Sequence, residues 1–135
     1  MTSIAYQRSR KRMQWALGIM VLAPTISGLQ QTLLGADGTP GESPRVSPTI
    51  DGELRYANVF KIATGTAIIS QLGTVEDSPV VTAALGTLFV GGLARLLSWK
   101  QVGRPHPVGI VAIALEVGVV PAVLLWRRRL TLSRG

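Results

Sequence analysis

The sequence predicts an all-α fold, an integral membrane four-helix bundle with both termini cytoplasmic. Four apolar stretches fill most of the 135 residues, and each has the ~20 residues that a helix needs to cross the ~30 Å hydrocarbon core. The charged residues are segregated, since only Lys61, Arg95 and Glu116 lie inside these stretches away from their ends. Basic residues gather at both ends of the chain. A soluble bundle would instead distribute charges along the solvent faces of its helices.

Two basic tails, four spans and one long loop make up the predicted single domain. The tails are residues 1–12 and 127–135, the spans are about 13–34, 54–72, 79–99 and 107–126, and the external loop is 35–53. The loop is rich in Pro and Gly, a composition that resists both helix and strand. Ser78-Pro79 predicts the start of the third helix, with Ser as the cap and Pro at the first helical position.

The first span follows a basic start, an arrangement that a signal peptide shares. The apolar run continues to Leu34 without a clear small-x-small cleavage site, which favours an uncleaved helix. Pro24 removes a backbone donor in mid-span, so we expect a bend between Met20 and Pro24. Pro121 is expected to bend the fourth span about one turn beyond Glu116.

Basic residues near the two ends set the predicted orientation. They are Arg10, Lys11, Arg12, Arg127, Arg128 and Arg129, with Arg8 and Arg134 beside them. An even number of spans places both ends on one side, and the opposite loops carry Arg45, Lys100 and Arg104. The side richer in Lys and Arg is cytoplasmic, where anionic lipid is a fitting partner. Because no nucleic-acid module accompanies these clusters, the net charge of +7 does not indicate nucleic-acid binding.

Lys61, Arg95 and Glu116 share one depth in the predicted bundle. Each charge inside a bilayer costs about 2.5–3.5 kcal/mol on insertion scales, so these side chains need partners. At ~1.5 Å per residue they lie roughly 6–13 Å from the external ends of their spans, in the outer half of the bilayer. A small and polar stripe accompanies them on the third span: Ala84, Thr87, Gly91, Arg95 and Ser98. The first span offers Ser27, Gln30 and Gln31 at the same end, and the second offers Asn58.

These groups predict a polar pocket that opens to the outside. Its candidate residues are Arg95, Glu116, Lys61, Arg55, Asn58, Gln30 and Ser98. In the functional interpretation Lys61, Arg95 and Glu116 line a ligand site, with Glu116 as a proton acceptor or cation-pairing group. In the alternative, Glu116 pairs with Lys61 or Arg95 only to fasten helices together. Two bases against one acid favour an anionic or carbonyl-bearing ligand, such as a lipid headgroup or a quinone.

The sequence contains no recognisable catalytic set. It has no cysteine, and its one histidine, His106, lies between two prolines, so no metal site, cofactor or enzymatic activity is expected. The leading hypothesis is a non-enzymatic protein that binds a small ligand or another membrane subunit, as an accessory or assembly protein. The alternative is a small proton-coupled transporter or channel, which with four spans would act as a homo-oligomer.

Several segments together resemble the bacterial family of four-span membrane proteins named domain of unknown function 4345. They are Asp51-Gly-Glu-Leu-Arg-Tyr56, Phe89-Val-Gly-Gly-Leu-Ala-Arg-Leu-Leu-Ser98, Val102-Gly-Arg-Pro-His-Pro107 and Leu115-Glu116. The resemblance covers roughly residues 13–130 and implies a multi-pass protein of the bacterial inner membrane. It singles out Arg55, Arg95, Arg104 and Glu116 as polar positions, whereas Lys61 is outside the family pattern. It implies no biochemical activity.

Overall fold

The computed structural model describes residues 2–41 and 45–134, which form helices and turns without a strand. Within these residues, four long helices run up and down: α1 (Ser3–Leu34), α2 (Pro48–Ser70), α3 (Pro79–Val102) and α4 (Pro107–Leu132). A 3₁₀ turn follows α1 at Gly35–Gly38, and another follows α2 at Leu72–Thr74. Part of the predicted external loop, at 42–44, and the outermost residue of each predicted tail lie outside the described residues.

The helices extend beyond the apolar stretches that predicted them. α1 begins at Ser3, where the Thr2 hydroxyl accepts a hydrogen bond from the Ala5 amide at 3.4 Å, and α4 continues to Leu132. The basic segments are therefore largely helical, because residues 3–12 and 127–132 contain no Gly or Pro that would stop a helix. α2 likewise begins at Pro48, six residues before the predicted span, so 48–53 is helix and not loop.

Three helices begin with the same local chemistry. Ser47, Ser78 and His106 each accept a hydrogen bond from a backbone amide of the first turn, and each precedes a proline. Such prolines fit because the first helical residues have no intrahelical partner for their N–H groups. The predicted start of the third helix at Ser78-Pro79 is thereby confirmed.

The bundle is tightly packed at one end and splayed at the other. We call the end that holds the 71–78 turn the turn end, and the opposite end the loop end. α1 packs on α2, α2 on α3 and α3 on α4, whereas α1 meets α4 only within 120–132. No Cα atom of α1 lies within 8 Å of one in residues 107–119. The buried apolar core occupies the turn-end half: Met13, Leu17, Val21, Ile68, Val75, Val81, Ala84, Leu85, Val120, Val123 and Leu130.

Glycines allow the closest helix approaches. A Cβ added at Gly65 would lie 1.9 Å from the Thr25 hydroxyl oxygen, and one added at Gly28 would lie 2.9 Å from the Lys61 Cβ. Between α3 and α4, a Cβ on Gly92 would lie 2.6 Å from that of Glu116. Small residues at such crossings are typical of helix packing in membranes.

Large apolar side chains cover much of the outside of the bundle. On α1, Ile19, Ile26 and Leu33 are each more than 60% exposed, at 63%, 63% and 66%. Within residues 2–41 and 45–134, three helical segments are long and apolar enough to cross a membrane: Ser3–Gly38, Pro79–Val102 and Pro107–Leu132. α2 is less apolar than these because Arg55, Asn58 and Lys61 stand among its apolar residues.

Candidate functional site

Each of the four helices contributes one polar side chain to a layer near the loop end. Gln31 comes from α1, Lys61 from α2, Arg95 from α3 and Glu116 from α4. The Lys61 Nζ donates to the Gln31 Oε1 at 3.1 Å, and the Arg95 Nε lies 3.1 Å from the Glu116 Oε2. We call these four residues the polar layer. The structure thus places together the three charged residues that the sequence predicted to share one depth.

The polar layer holds more positive than negative charge. Arg95 and Glu116 form an ion pair, in which the Arg95 Nε lies 3.1 Å from the buried Glu116 Oε2. Lys61 is hydrogen-bonded to a neutral amide and not to Glu116. The layer therefore holds two cations and one anion, with one positive charge unmatched. A buried charge without a counter-charge is costly.

Glu116 lies on an irregular turn of α4. Residues Leu115–Val119 form a π turn, in which the Val120 amide donates to the Leu115 carbonyl. In a regular α-helix the Pro121 ring would clash with the carbonyl four residues earlier. The wider turn relieves that clash, so the irregularity includes Glu116 instead of following it by one turn. π turns occur frequently at functional sites. By contrast, α1 stays helical through Pro24.

A cavity of about 150 Å³ borders the polar layer and extends along the bundle on both sides of it. Lys61, Arg95 and Glu116 form one part of its wall, and most of the rest is apolar. The apolar lining comprises Met20, Ala23, Pro24, Leu88, Val108, Val111, Ala112, Leu115 and Val120. We call this space the central cavity.

A second cavity, of about 200 Å³, continues from the central cavity towards the loop end. Both spaces share Ser27, Lys61 and Arg95, and the upper one reaches Pro40 and His106 in the connecting segments. Lys61 and Arg95 therefore stand where a largely apolar space joins a mouth that the connecting segments line. This arrangement suits a ligand with one polar and one apolar end.

Four of the predicted site residues lie outside the central cavity. Arg55 caps α1, donating to the carbonyls of Thr32 at 3.1 Å and Leu33 at 2.7 Å. Its Nε also donates to Asp51 at 2.7 Å, and this hydrogen bond lowers the pKa of the Asp51 carboxyl. The other three are Asn58, Gln30 and Ser98.

Asn58 is buried, and its amide donates to the Leu54 carbonyl at 2.7 Å. Gln30 is exposed, whereas its neighbour Gln31 is buried in the polar layer. Ser98 is exposed in a surface groove that Arg95 and Arg104 also line. These positions fit helix capping, helix packing and surface solvation more closely than ligand contact.

The stripe predicted on α3 lies along one edge of the buried face and not at its centre. Its members Thr87, Gly91 and Ser98 are exposed and Ala84 is buried, and the centre of the buried face passes through Leu85 and Gly92. Gly92 and not Gly91 packs against Glu116, because α3 approaches α4 through the next residue round the helix. Arg95 still reaches the cavity because its side chain is long.

A buried polar cluster at the turn end was missed by sequence reasoning. Glu76 accepts hydrogen bonds from Arg10 at 2.7 Å and from the Tyr6 hydroxyl at 3.2 Å. Arg127, which is 5% exposed, donates to the carbonyls of Val75 and Ser78 at 2.7 and 2.9 Å. The sequence assigned Arg10 and Arg127 to orientation in the membrane. In the structure, hydrogen bonds from these residues also attach the first part of α1 and the last part of α4 to the 71–78 turn.

Glu76 gives this cluster a pH dependence. Burial alone would raise the pKa of its carboxyl, but a hydrogen bond from its own backbone and the bonds from Arg10 and Tyr6 together lower it below the usual 4.5. A lowered pKa stabilises the fold above pH 4.5, and that stabilisation is lost as the pH falls through the folded-state pKa. Asp51 acts in the same direction.

We expect the thermal midpoint in detergent to stay constant between pH 7 and about pH 5 and to fall below about pH 4.5, as the pH approaches the lowered pKa of Glu76. In Glu76→Gln the midpoint should be lower at pH 7 and should depend less on pH. The exposed residue Glu53 offers a matched control, Glu53→Gln. A Glu76→Gln profile that runs parallel to that of the wild type would contradict the assignment.

The fold and the cavity define a helical bundle in which three helices are long and apolar enough to cross a membrane. The chain belongs to the family described as a domain of unknown function, DUF4345, whose match covers residues 12–127. The family resemblance noted in the sequence is thereby confirmed. No curated protein and no solved structure matches the chain significantly.

Proposed function

We propose that this chain is a four-span protein of the bacterial inner membrane, with both ends cytoplasmic, that binds a small anionic ligand without catalysing a reaction. The binding site is the central cavity, and the polar layer supplies its recognition groups. The observation that carries the proposal is the charge count of the layer. Lys61 and Arg95 face a single carboxylate, Glu116, beside an enclosed space. An anion entering that space would balance the layer and offset the cost of the buried cation.

The proposal requires α2 to cross the membrane with the other three helices. Its polar groups are directed at neighbouring helices: Asn58 is buried, and Lys61 contacts Gln31 on α1. From Leu54 to the end of α2, its large exposed hydrophobic side chains are Tyr56, Val59, Phe60 and Ile69. A helix that buries its polar groups against neighbouring helices is compatible with lipid, even when it is less apolar on average than the other helices.

A proton-coupled carrier is the second candidate, and one observation favours it. Glu116 is a partly buried carboxylate that lies on a π turn and borders the central cavity, a combination that suits a group that takes up and releases a proton. In this case Glu116→Gln would abolish pH-dependent flux in liposomes while the protein remains folded. An unchanged flux, or none in the wild type, would exclude a carrier.

The binding proposal is tested with fatty carboxylates as probes, octanoate and palmitate, on protein in lipid nanodiscs. We expect Arg95→Gln and Lys61→Gln to weaken binding, and Glu116→Gln to strengthen it by about tenfold, because a repelling charge is removed. Lys100→Gln is a matched control, since this exposed lysine lies outside both cavities. If neither probe binds in a way that depends on Arg95 and Lys61, the polar layer is a structural ion pair and the proposal is wrong.

A further inference from the structure

We infer that the ligand of the central cavity is a single-chain amphiphile of the bilayer with a carboxylate head, which enters sideways between α1 and the first half of α4. This inference rests on the proposed function and specifies its ligand and its route. Two neighbouring features support it. One is a lateral gap in the bundle, and the other, at the same depth, is a positive charge without a matching anion.

The gap is a property of the backbone. α1 and α4 meet only at the turn end, and no Cα atom of α1 lies within 8 Å of one in residues 107–119. Side chains on both sides of this gap line the central cavity and are exposed: Ala23 on α1, and Val108 and Val111 on α4. Val108 is 54% exposed and Val111 is 59% exposed. In a membrane, this opening would face acyl chains and not water.

The cavity has one polar wall and an otherwise apolar lining. Lys61 and Arg95 belong to the polar wall. Apolar residues line the cavity on both sides of it: Leu88, Leu115 and Val120 towards the turn end, and Val108 and Val111 towards the loop end. A head with negative charge fits beside Lys61 and Arg95, and a hydrocarbon segment fits the apolar lining and the gap. A small hydrophilic anion would leave the apolar wall without a partner, whereas an amphiphile removes that surface from water.

The size of the cavity favours one chain over two. A dry protein cavity of about 150 Å³ holds a group the size of benzene, and the central cavity has a similar volume, about 150 Å³. The head and the first carbons of one acyl chain fit such a space, while the remaining carbons lie in the gap. A glycerophospholipid, with two chains and a larger head, exceeds it.

Filling the gap tests the route. Ala23→Trp places an indole in the opening, and Ala16→Trp is the control, since Ala16 is exposed, lies seven residues earlier on the same face of α1 and does not line the cavity. In nanodiscs we expect the wild type to bind palmitate at least about tenfold more tightly than octanoate, because more CH₂ groups are buried. Ala23→Trp should weaken palmitate binding at least tenfold, Ala16→Trp should leave it unchanged, and uncharged hexadecanol should not compete.

The outcomes separate this inference from the proposed function. If octanoate and palmitate bind equally well in an Arg95-dependent manner and Ala23→Trp changes neither, the ligand enters from water and the inference is wrong while the proposed function stands. If phosphatidylglycerol displaces labelled palmitate more effectively than unlabelled palmitate does, a two-chain lipid is the preferred occupant and the inference is also wrong. Size-exclusion profiles of both Trp variants establish that they are folded.

Discussion

Replacing Arg127 by Ala should lower the free energy of unfolding by about 2–4 kcal/mol, because it removes hydrogen bonds of a charged group from a buried site. The guanidinium donates to the carbonyls of Val75 and Ser78 at 2.7 and 2.9 Å, and to the Thr82 hydroxyl at 2.9 Å. The Ser78 carbonyl keeps the Thr82 amide as a donor at 3.3 Å, whereas the buried Val75 carbonyl loses its donor, at a cost of about 1–3 kcal/mol. The 71–78 turn would then lose part of its attachment to α4, in which the Thr131 hydroxyl also donates to the Glu76 carbonyl at 3.0 Å. Reversible unfolding in mixed micelles measures the change.

Arg128 is the matched control for this prediction. It is the next residue of the same arginine triplet and is exposed. Arg128→Ala removes the same charge from the same end of the chain, so a general effect of charge on orientation or expression would appear in both variants. We expect it to change stability by less than about 0.5 kcal/mol. Equal losses in the two variants would show that the network around Arg127 does not stabilise the bundle.

Gly92→Val should be the most disruptive substitution within the spans. A Cβ at Gly92 would lie 2.6 Å from the Glu116 Cβ and 2.8 Å from the Val117 Cγ2. Neither atom is the far end of a flexible side chain, so α3 and α4 must separate. Overpacking of this kind typically costs about 1–3 kcal/mol. Moving Glu116 also disturbs its pairing with Arg95, so we expect weaker palmitate binding as well as lower stability.

Gly91 provides the control for this substitution. A Cβ added there meets nothing within 4 Å. Gly91→Val therefore changes the same type of residue, one position away, without a steric clash, and removing a helical glycine is worth up to about 1 kcal/mol in helix propensity. We expect unchanged or slightly higher stability and normal binding. A Gly91→Val variant that is less stable than Gly92→Val would overturn the rotation of α3 in the bundle.

The sequence predicted which residues are exceptional but not which way each helix is rotated. Lys61, Arg95 and Glu116 were identifiable because charges are rare inside apolar spans. Their partners were harder to predict: Gln31, and not Gln30, completes the polar layer. Hydrophobic periodicity separates the core from water, but in this bundle the outside is as apolar as the inside. Nothing in composition therefore distinguishes Gly91 from Gly92.

The roles of Arg10 and Arg127 at the turn end could not be predicted from the sequence, for a different reason. Arg10 and Arg127 belong to the basic clusters that predict orientation, and a sequence offers no further reason to single them out. Their acceptors include backbone carbonyls of the 71–78 turn, at Gly73, Val75 and Ser78. Carbonyl groups are present at every residue, so only the fold shows which of them lie beneath a guanidinium. The buried cluster was therefore not predictable from residue types.

Whether α2 crosses the membrane decides the topology. Cysteine labelling tests this crossing most directly, because the chain has no cysteine of its own. Ser3, Thr39 and Thr74 are exposed, and they lie at the start of α1, at the loop end and at the turn end. We predict that a membrane-impermeant maleimide labels Thr39→Cys in intact spheroplasts but labels Ser3→Cys and Thr74→Cys only after lysis. If Thr39→Cys and Thr74→Cys react from the same side, α2 does not cross, and the four-span bundle with its polar layer inside the bilayer is contradicted.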